Sequence, residues 1–137
     1  MFRLIAATCL IAGVGGCTAP PPSSCPAGLG SPVEVFTLFL GRSIPGRGDL
    51  TDQEWQAFLA NTVTANLPNG YTVWDANGGW MNPVTHKTIH ETTKVLLVSL
   101  PEAPGSLIVI DRIRTVYQHQ YQQQTVGMTV EHACADF

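Results

Sequence analysis

The sequence predicts an α+β domain of ferredoxin-like order, βαββαβ, in which two helices cover one face of an antiparallel sheet. Three observations carry that expectation. Four runs are rich in β-branched, aromatic and leucine residues; a fully capped helix start lies between the first and second; a second helical run lies between the third and fourth. Hydrophobic residues make up 45 % of the 137 and charged residues only 12 %, so there is apolar side chain enough for one core.

Residues 33–40, Val-Glu-Val-Phe-Thr-Leu-Phe-Leu, form the first strand and stop at Gly41. A helix follows. Thr51 caps it, Glu54 completes a capping box, and Leu50 staples onto Trp55. Trp55, Phe58, Leu59, Thr62 and Val63 then share a face until Pro68 ends the run. Residues 71–76 make the second strand, and Asn77-Gly78 is a strong hairpin signal that would return Gly79-Trp80 alongside Val73-Trp74. Residues 94–100, almost unbroken Val and Leu, read as a central strand. The second helix starts near Pro104 and runs to about Gln123, with Ile110, Ile113, Tyr117 and Tyr121 on one side. Val126, Met128 and Val130 alternate with polar neighbours in a last, half-buried strand.

Ahead of this domain (residues 33–137), residues 1–16 read as a signal peptide: Arg3, an apolar stretch of 11 residues from Leu4 to Val14, then Gly15-Gly16 before Cys17. That stretch is too short to span a bilayer. The small-small-Cys ending resembles a bacterial lipobox, with Cys17 as the lipidated residue; an ordinary cleaved signal is the alternative. Thr18 in place of Asp favours the outer membrane in a Gram-negative cell. Residues 17–32 are then the lipidated cysteine and a tether with five Pro and three Ser. Export to an oxidising compartment favours pairing the remaining cysteines, Cys25 and Cys134. In the expected topology the start of the first strand lies beside the end of the last, so a bridge between them follows from the fold.

Several segments carry a resemblance: residues 39–46 (Phe-Leu-Gly-Arg-Ser-Ile-Pro-Gly), Glu54-Trp55-Gln56-Ala57-Phe58, Gly70-Tyr71-Thr72-Val73, Gly78-Gly79-Trp80 and Glu91-Thr92-Thr93-Lys94-Val95. Together they are similar to a family of short bacterial proteins, often lipid-anchored, known as domain of unknown function 3574. The resemblance covers roughly residues 33–134 and implies no activity or catalytic residue.

Placement supplies the candidate site. The expected topology gathers Arg42, Arg47, Asp75, Trp80, Glu91 and Lys94 at the end of the sheet away from Cys25. Such a rim suits a ligand carboxylate, a sugar or a peptide; alternatively, Arg42 pairs with Glu91 or Asp75 and ties loop to hairpin. Seven Lys and Arg against ten Asp and Glu give a net charge of −3, which disfavours nucleic acid as a partner. No metal or other cofactor is expected. His86 and His90 stand roughly 13 Å apart on an extended chain, and Lys94 replaces the second histidine of a zinc-protease helix motif. Arg47-Gly48 stands where a phosphate loop requires Lys and Ser or Thr. The second sheet face, with Val35, Thr37, Phe39, Val95 and Leu97, is too apolar to be left bare. It invites a second copy, another envelope protein, or cover by tether or hairpin. These features suggest an envelope lipoprotein that acts as a binding or interaction module. A small dimeric enzyme using Glu91 with His86 or His90, or a purely structural component, are the alternatives.

Overall fold

The four long strands form one antiparallel sheet in the order β4-β5-β1-β6. In this computed structural model residues 24–137 are described; the expected signal peptide, Cys17 and most of the tether lie outside them. The elements are β1 (Ser31–Gly41), a small hairpin of β2 (Ser43–Ile44) and β3 (Gly48–Asp49), α1 (Asp52–Phe58), a π-helical turn (Leu59–Val63), α2 (Thr64–Asn66), β4 (Thr72–Met81), β5 (Thr88–Pro101), α3 (Pro104–Gln120) and β6 (Gly127–Ala135). Among the described residues no helix is long and apolar enough to cross a membrane.

Strand alternation builds the core. Phe36, Leu38 and Leu40 of β1 and Leu96 and Val98 of β5 point to the side where Trp55, Phe58, Val63, Ile110, Ile113 and Tyr117 are buried with them. The Thr51 capping box forms as expected, with Glu54 accepting from the Thr51 backbone at 2.9 Å. The helical segment keeps Trp55, Leu59, Val63 and Leu67 buried at a strict spacing of four. Such a stripe drifts by about 40° per step around an ideal α-helix, and the π-helical turn at Leu59–Val63 absorbs the drift. Tyr117 meets Phe58 and Tyr121 edge-on, each at 4.9 Å between ring centroids, which locks α3 against α1.

The hairpin differs from the sequence expectation. β4 runs straight through Asn77-Gly78, and the reversal lies between Met81 and Thr88, so Trp80 pairs with Ile89 and not with the Val73-Trp74 region. Asn82 supplies the stronger turn: its side chain accepts from the backbone of Val84 and Thr85 at 2.9 and 3.0 Å, and His86 adopts φ 54°. Gly78 instead gives clearance across the strands, since a Cβ there would sit 3.0 Å from the Thr93 hydroxyl. β5 consequently starts at Thr88, ahead of the expected Lys94. α3 ends at Gln120, three residues short of the expected Gln123.

β1 and β6 are antiparallel neighbours, with Pro32 opposite Cys134. Cys25 and Cys134 form a disulfide with Cα atoms 5.7 Å apart and a sequence separation of 109. Closing a loop of that length stabilises by up to about 4–5 kcal/mol in the chain-entropy picture. Denaturant unfolding of the oxidised protein is therefore expected to show that much extra stability over the Cys25→Ser, Cys134→Ser double variant. Equal stabilities would mean that the bridge only decorates an edge already held by β1–β6 pairing.

Candidate functional site

The six residues expected at one rim are divided between the two faces of the sheet. Lys94 stands opposite Leu40 on one side and Asp75 on the other, so it points to the helix-covered face. Glu91, three residues earlier, pairs with Gly78 and points to the opposite face, as strand alternation requires.

On the helix side, Lys94 is ion-paired with Asp75, and its ammonium lies 5.7 Å from the Trp55 ring centroid. The Lys94 hydrogen bond pulls the Asp75 carboxyl below its ordinary value. Arg42 donates to the Leu50 carbonyl and to Asp52 at 2.9 Å. Arg42, Trp55, Asp75 and Lys94 line a cleft of about 500 Å³. Arg42 takes Asp52 as its ion-pair partner, not Glu91 or Asp75, and ties the β3–α1 connection to the end of β1, while its charge also helps lower the Asp75 carboxyl. Both cations are already neutralised by carboxylates, which leaves this cleft little to offer an anion.

Arg47 makes a fork to Glu54 at 2.7 and 2.9 Å. That fork, with the Thr51 backbone and hydroxyl, lowers the Glu54 carboxyl to about 2. The group therefore contributes stability that is fully present above its ordinary value near 4.5 and is lost as pH falls toward about 2. Thermal midpoints of the wild type are expected to drop over that window relative to Glu54→Gln. Parallel pH profiles would mean that the fork contributes nothing.

The opposite face holds Glu91 and Trp80 at a different cleft, about 460 Å³ in volume. Phe39, Ile44, Pro45, Trp80 and Ile89 give it apolar walls, and Glu91 is the sole ionisable side chain among the described residues that line it. The Ser43 backbone N–H and the Trp80 indole N–H act on the carboxyl and pull it down. Burial nevertheless raises the Glu91 carboxyl above its ordinary value, and nearby Asp49 pushes the same way. The side chain fits because residue 41 is glycine: a Cβ there would lie 2.6–2.8 Å from the Glu91 carboxylate atoms. On the other side of the sheet the buried Tyr117 hydroxyl donates to the Gly41 carbonyl at 2.9 Å. Gln123 bonds the Ser43 carbonyl at 2.8 Å and so fixes the α3–β6 connection at the cleft mouth. Nothing local in the sequence signals that contact. Around the cleft the open face carries Phe39 and Trp74, 42 % and 43 % exposed.

Comparison with known proteins fits this geometry into a family. The family model described as "Protein of unknown function (DUF3574)" matches residues 36–137. The chain belongs to that family. Its matched region holds both clefts and the whole sheet apart from the first residues of β1. No curated protein matches the chain in sequence. Among solved structures, a phage SAM lyase in complex with S-methyl-5'-thioadenosine is similar in fold, with a TM-score of 0.58 at 11 % identity, covering 83 % of this chain and 98 % of the lyase. A structure of a phage SAM lyase in the apo state gives a TM-score of 0.54 at 11 % identity over 84 % and 98 % of the two chains. CutA from Synechococcus elongatus, complexed with Bis-Tris, gives 0.49 at 12 % identity over 78 % and 85 %. At these identities the likeness concerns the fold alone.

Gly41→Ala separates the cleft from the core. The added methyl is expected to displace the flexible Glu91 carboxylate from Trp80 and Ser43 while the domain stays folded. The Trp80 indole N–H resonance should shift and the Trp55 resonance should not. Unchanged Trp80 with normal folding would mean that the carboxylate is not held against Gly41.

Proposed function

We propose that this family member is an exported, lipid-anchored protein of the bacterial cell envelope, and that its ferredoxin-like domain acts as a binding module through the Glu91–Trp80 cleft. The observation that carries the binding role is the cleft itself: apolar walls converging on one half-buried carboxylate held by two N–H donors. The strand order β4-β5-β1-β6 supports the ferredoxin-like reading of the topology. The Cys25–Cys134 bridge supports an oxidising compartment, Cys17 after Gly15-Gly16 supports lipidation, and Thr18 in place of Asp supports the outer membrane, facing the periplasm. The exposed Phe39 and Trp74 favour a second copy or another envelope protein on the same face. A second reading, an acid–base enzyme with Glu91 as proton acceptor, is favoured by the raised Glu91 carboxyl. The phage lyase lends it a shared fold and nothing more.

A fragment screen by NMR on the full chain tests the site. Bound fragments are expected to shift the Trp80 indole N–H, assigned with Trp80→Phe, ahead of those of Trp55 and Trp74. Fragments that gather at Trp55 beside Lys94, or at no indole, would refute the assignment. For the anchor, Cys17→Ser is expected to move the protein out of the membrane fraction. Retention there would refute lipidation at that residue.

A further inference from the structure

We infer that the Glu91 cleft takes an organic cation, an amine or quaternary ammonium carried on an apolar body, an inference that rests on the reading of this cleft as the ligand site. Charge decides the sign of the ligand. Glu91 is the sole ionisable side chain among the described residues lining the cleft. Among the basic residues around the cleft, Arg42, Arg47 and Lys94 pair with Asp52, Glu54 and Asp75, and Lys87 and His90 are not among the residues that line it. An anionic ligand would face the Glu91 carboxylate with Asp49 behind it and no cation in the walls.

Hydrogen bonding decides what the ligand must offer. A carboxylate has about four acceptor positions, and the protein offers it the Ser43 backbone and Trp80 indole N–H groups, fewer than it can use. A neutral apolar ligand would cover the remaining lone pairs and leave a desolvated charge without a partner, which is unfavourable. A cation restores the lost solvation. It also reverses the pressure that burial now places on the Glu91 carboxyl.

The walls decide the rest of the molecule. Phe39, Ile44, Pro45, Trp80 and Ile89 present apolar surface to the body of the ligand. A volume of about 460 Å³ accommodates one aromatic ring or a short branched chain beside the charged head. Small hydrated metal cations would not use such walls.

Three probes of matched shape test this on the full chain: phenethylamine, phenethyl alcohol and phenylacetate, with benzyltrimethylammonium as a permanent cation. Titrations followed at the Trp80 indole N–H are expected to rank both cations at least about tenfold tighter than the alcohol, with phenylacetate weakest. Glu91→Gln is expected to abolish that preference, and Glu91→Asp to retain part of it. The Gln variant keeps the shape of the side chain and removes a half-buried charge, so it should fold at least as well. Equal binding of amine and alcohol at Trp80, or a preference that survives Glu91→Gln, would overturn the cation while leaving the cleft as ligand site. Binding of none of the four probes at Trp80, where other fragments do bind, would likewise overturn the cation. If no compound of any class perturbs Trp80, the site assignment falls as well.

Discussion

The end of β1 at Gly41 is the constraint on which the rest of the structure turns. From the helix side, the buried Tyr117 hydroxyl donates to the Gly41 carbonyl, which fixes α3 to the sheet just past the last β1–β6 pair, Phe39 with Gly127. From the other side, the missing Cβ makes room for the Glu91 carboxylate. One glycine thus joins a core contact to a surface cleft through the thickness of a single strand. An unpaired carbonyl buried at that point would cost about 1–3 kcal/mol, so the tyrosine belongs to the stability of the fold, while the missing Cβ serves the cleft.

Two sheet faces have divided the charges between them. The helix side holds Arg42 and Lys94 with their carboxylate partners around Trp55, and each charge there has an opposite close by. The other side holds a carboxylate whose partners are N–H groups and whose surroundings are apolar. Paired charges of the first kind are structural ties, largely screened by solvent because Asp52 and Asp75 are exposed. A carboxylate of the second kind stays under tension, since desolvation is only partly offset by its donors. That asymmetry is the physical reason for assigning ligand binding to the Glu91 face.

Much of this was legible in the chain, and the illegible parts have definite causes. The capping box, the buried stripe of α3 and the strands of the sheet all follow from local pattern. The pairing of Cys25 with Cys134 needed only the neighbourhood of β1 and β6. The division of the rim follows only once β5 reaches back to Thr88: Glu91 and Lys94 then lie three apart in one strand, and alternation sends them to opposite faces. The turn was not legible. Asn77-Gly78 and Asn82-Pro83 both carry turn chemistry, and the choice between them depends on whether Gly78 is needed beside Thr93, a contact between strands that no local window contains. The Gln123 bond to Ser43 likewise joins segments far apart in the chain.

The position of the cleft also bears on the proposed anchoring. β1 runs for eleven residues from Ser31, beside the disulfide, to Gly41, beside Glu91. At about 3.3 Å per residue the two ends stand roughly 30–35 Å apart. If lipid is attached at Cys17, the bridged end of the sheet is the end tied to the bilayer, and the Glu91 cleft opens at the far end. A ligand or partner would then reach it from the periplasm without competing with the membrane surface. The same arrangement gives the disulfide a mechanical sense. Cys25 lies six residues ahead of β1, so with lipid at Cys17 its bridge to β6 would carry any pull to the edge of the sheet, away from the helix core and the cleft.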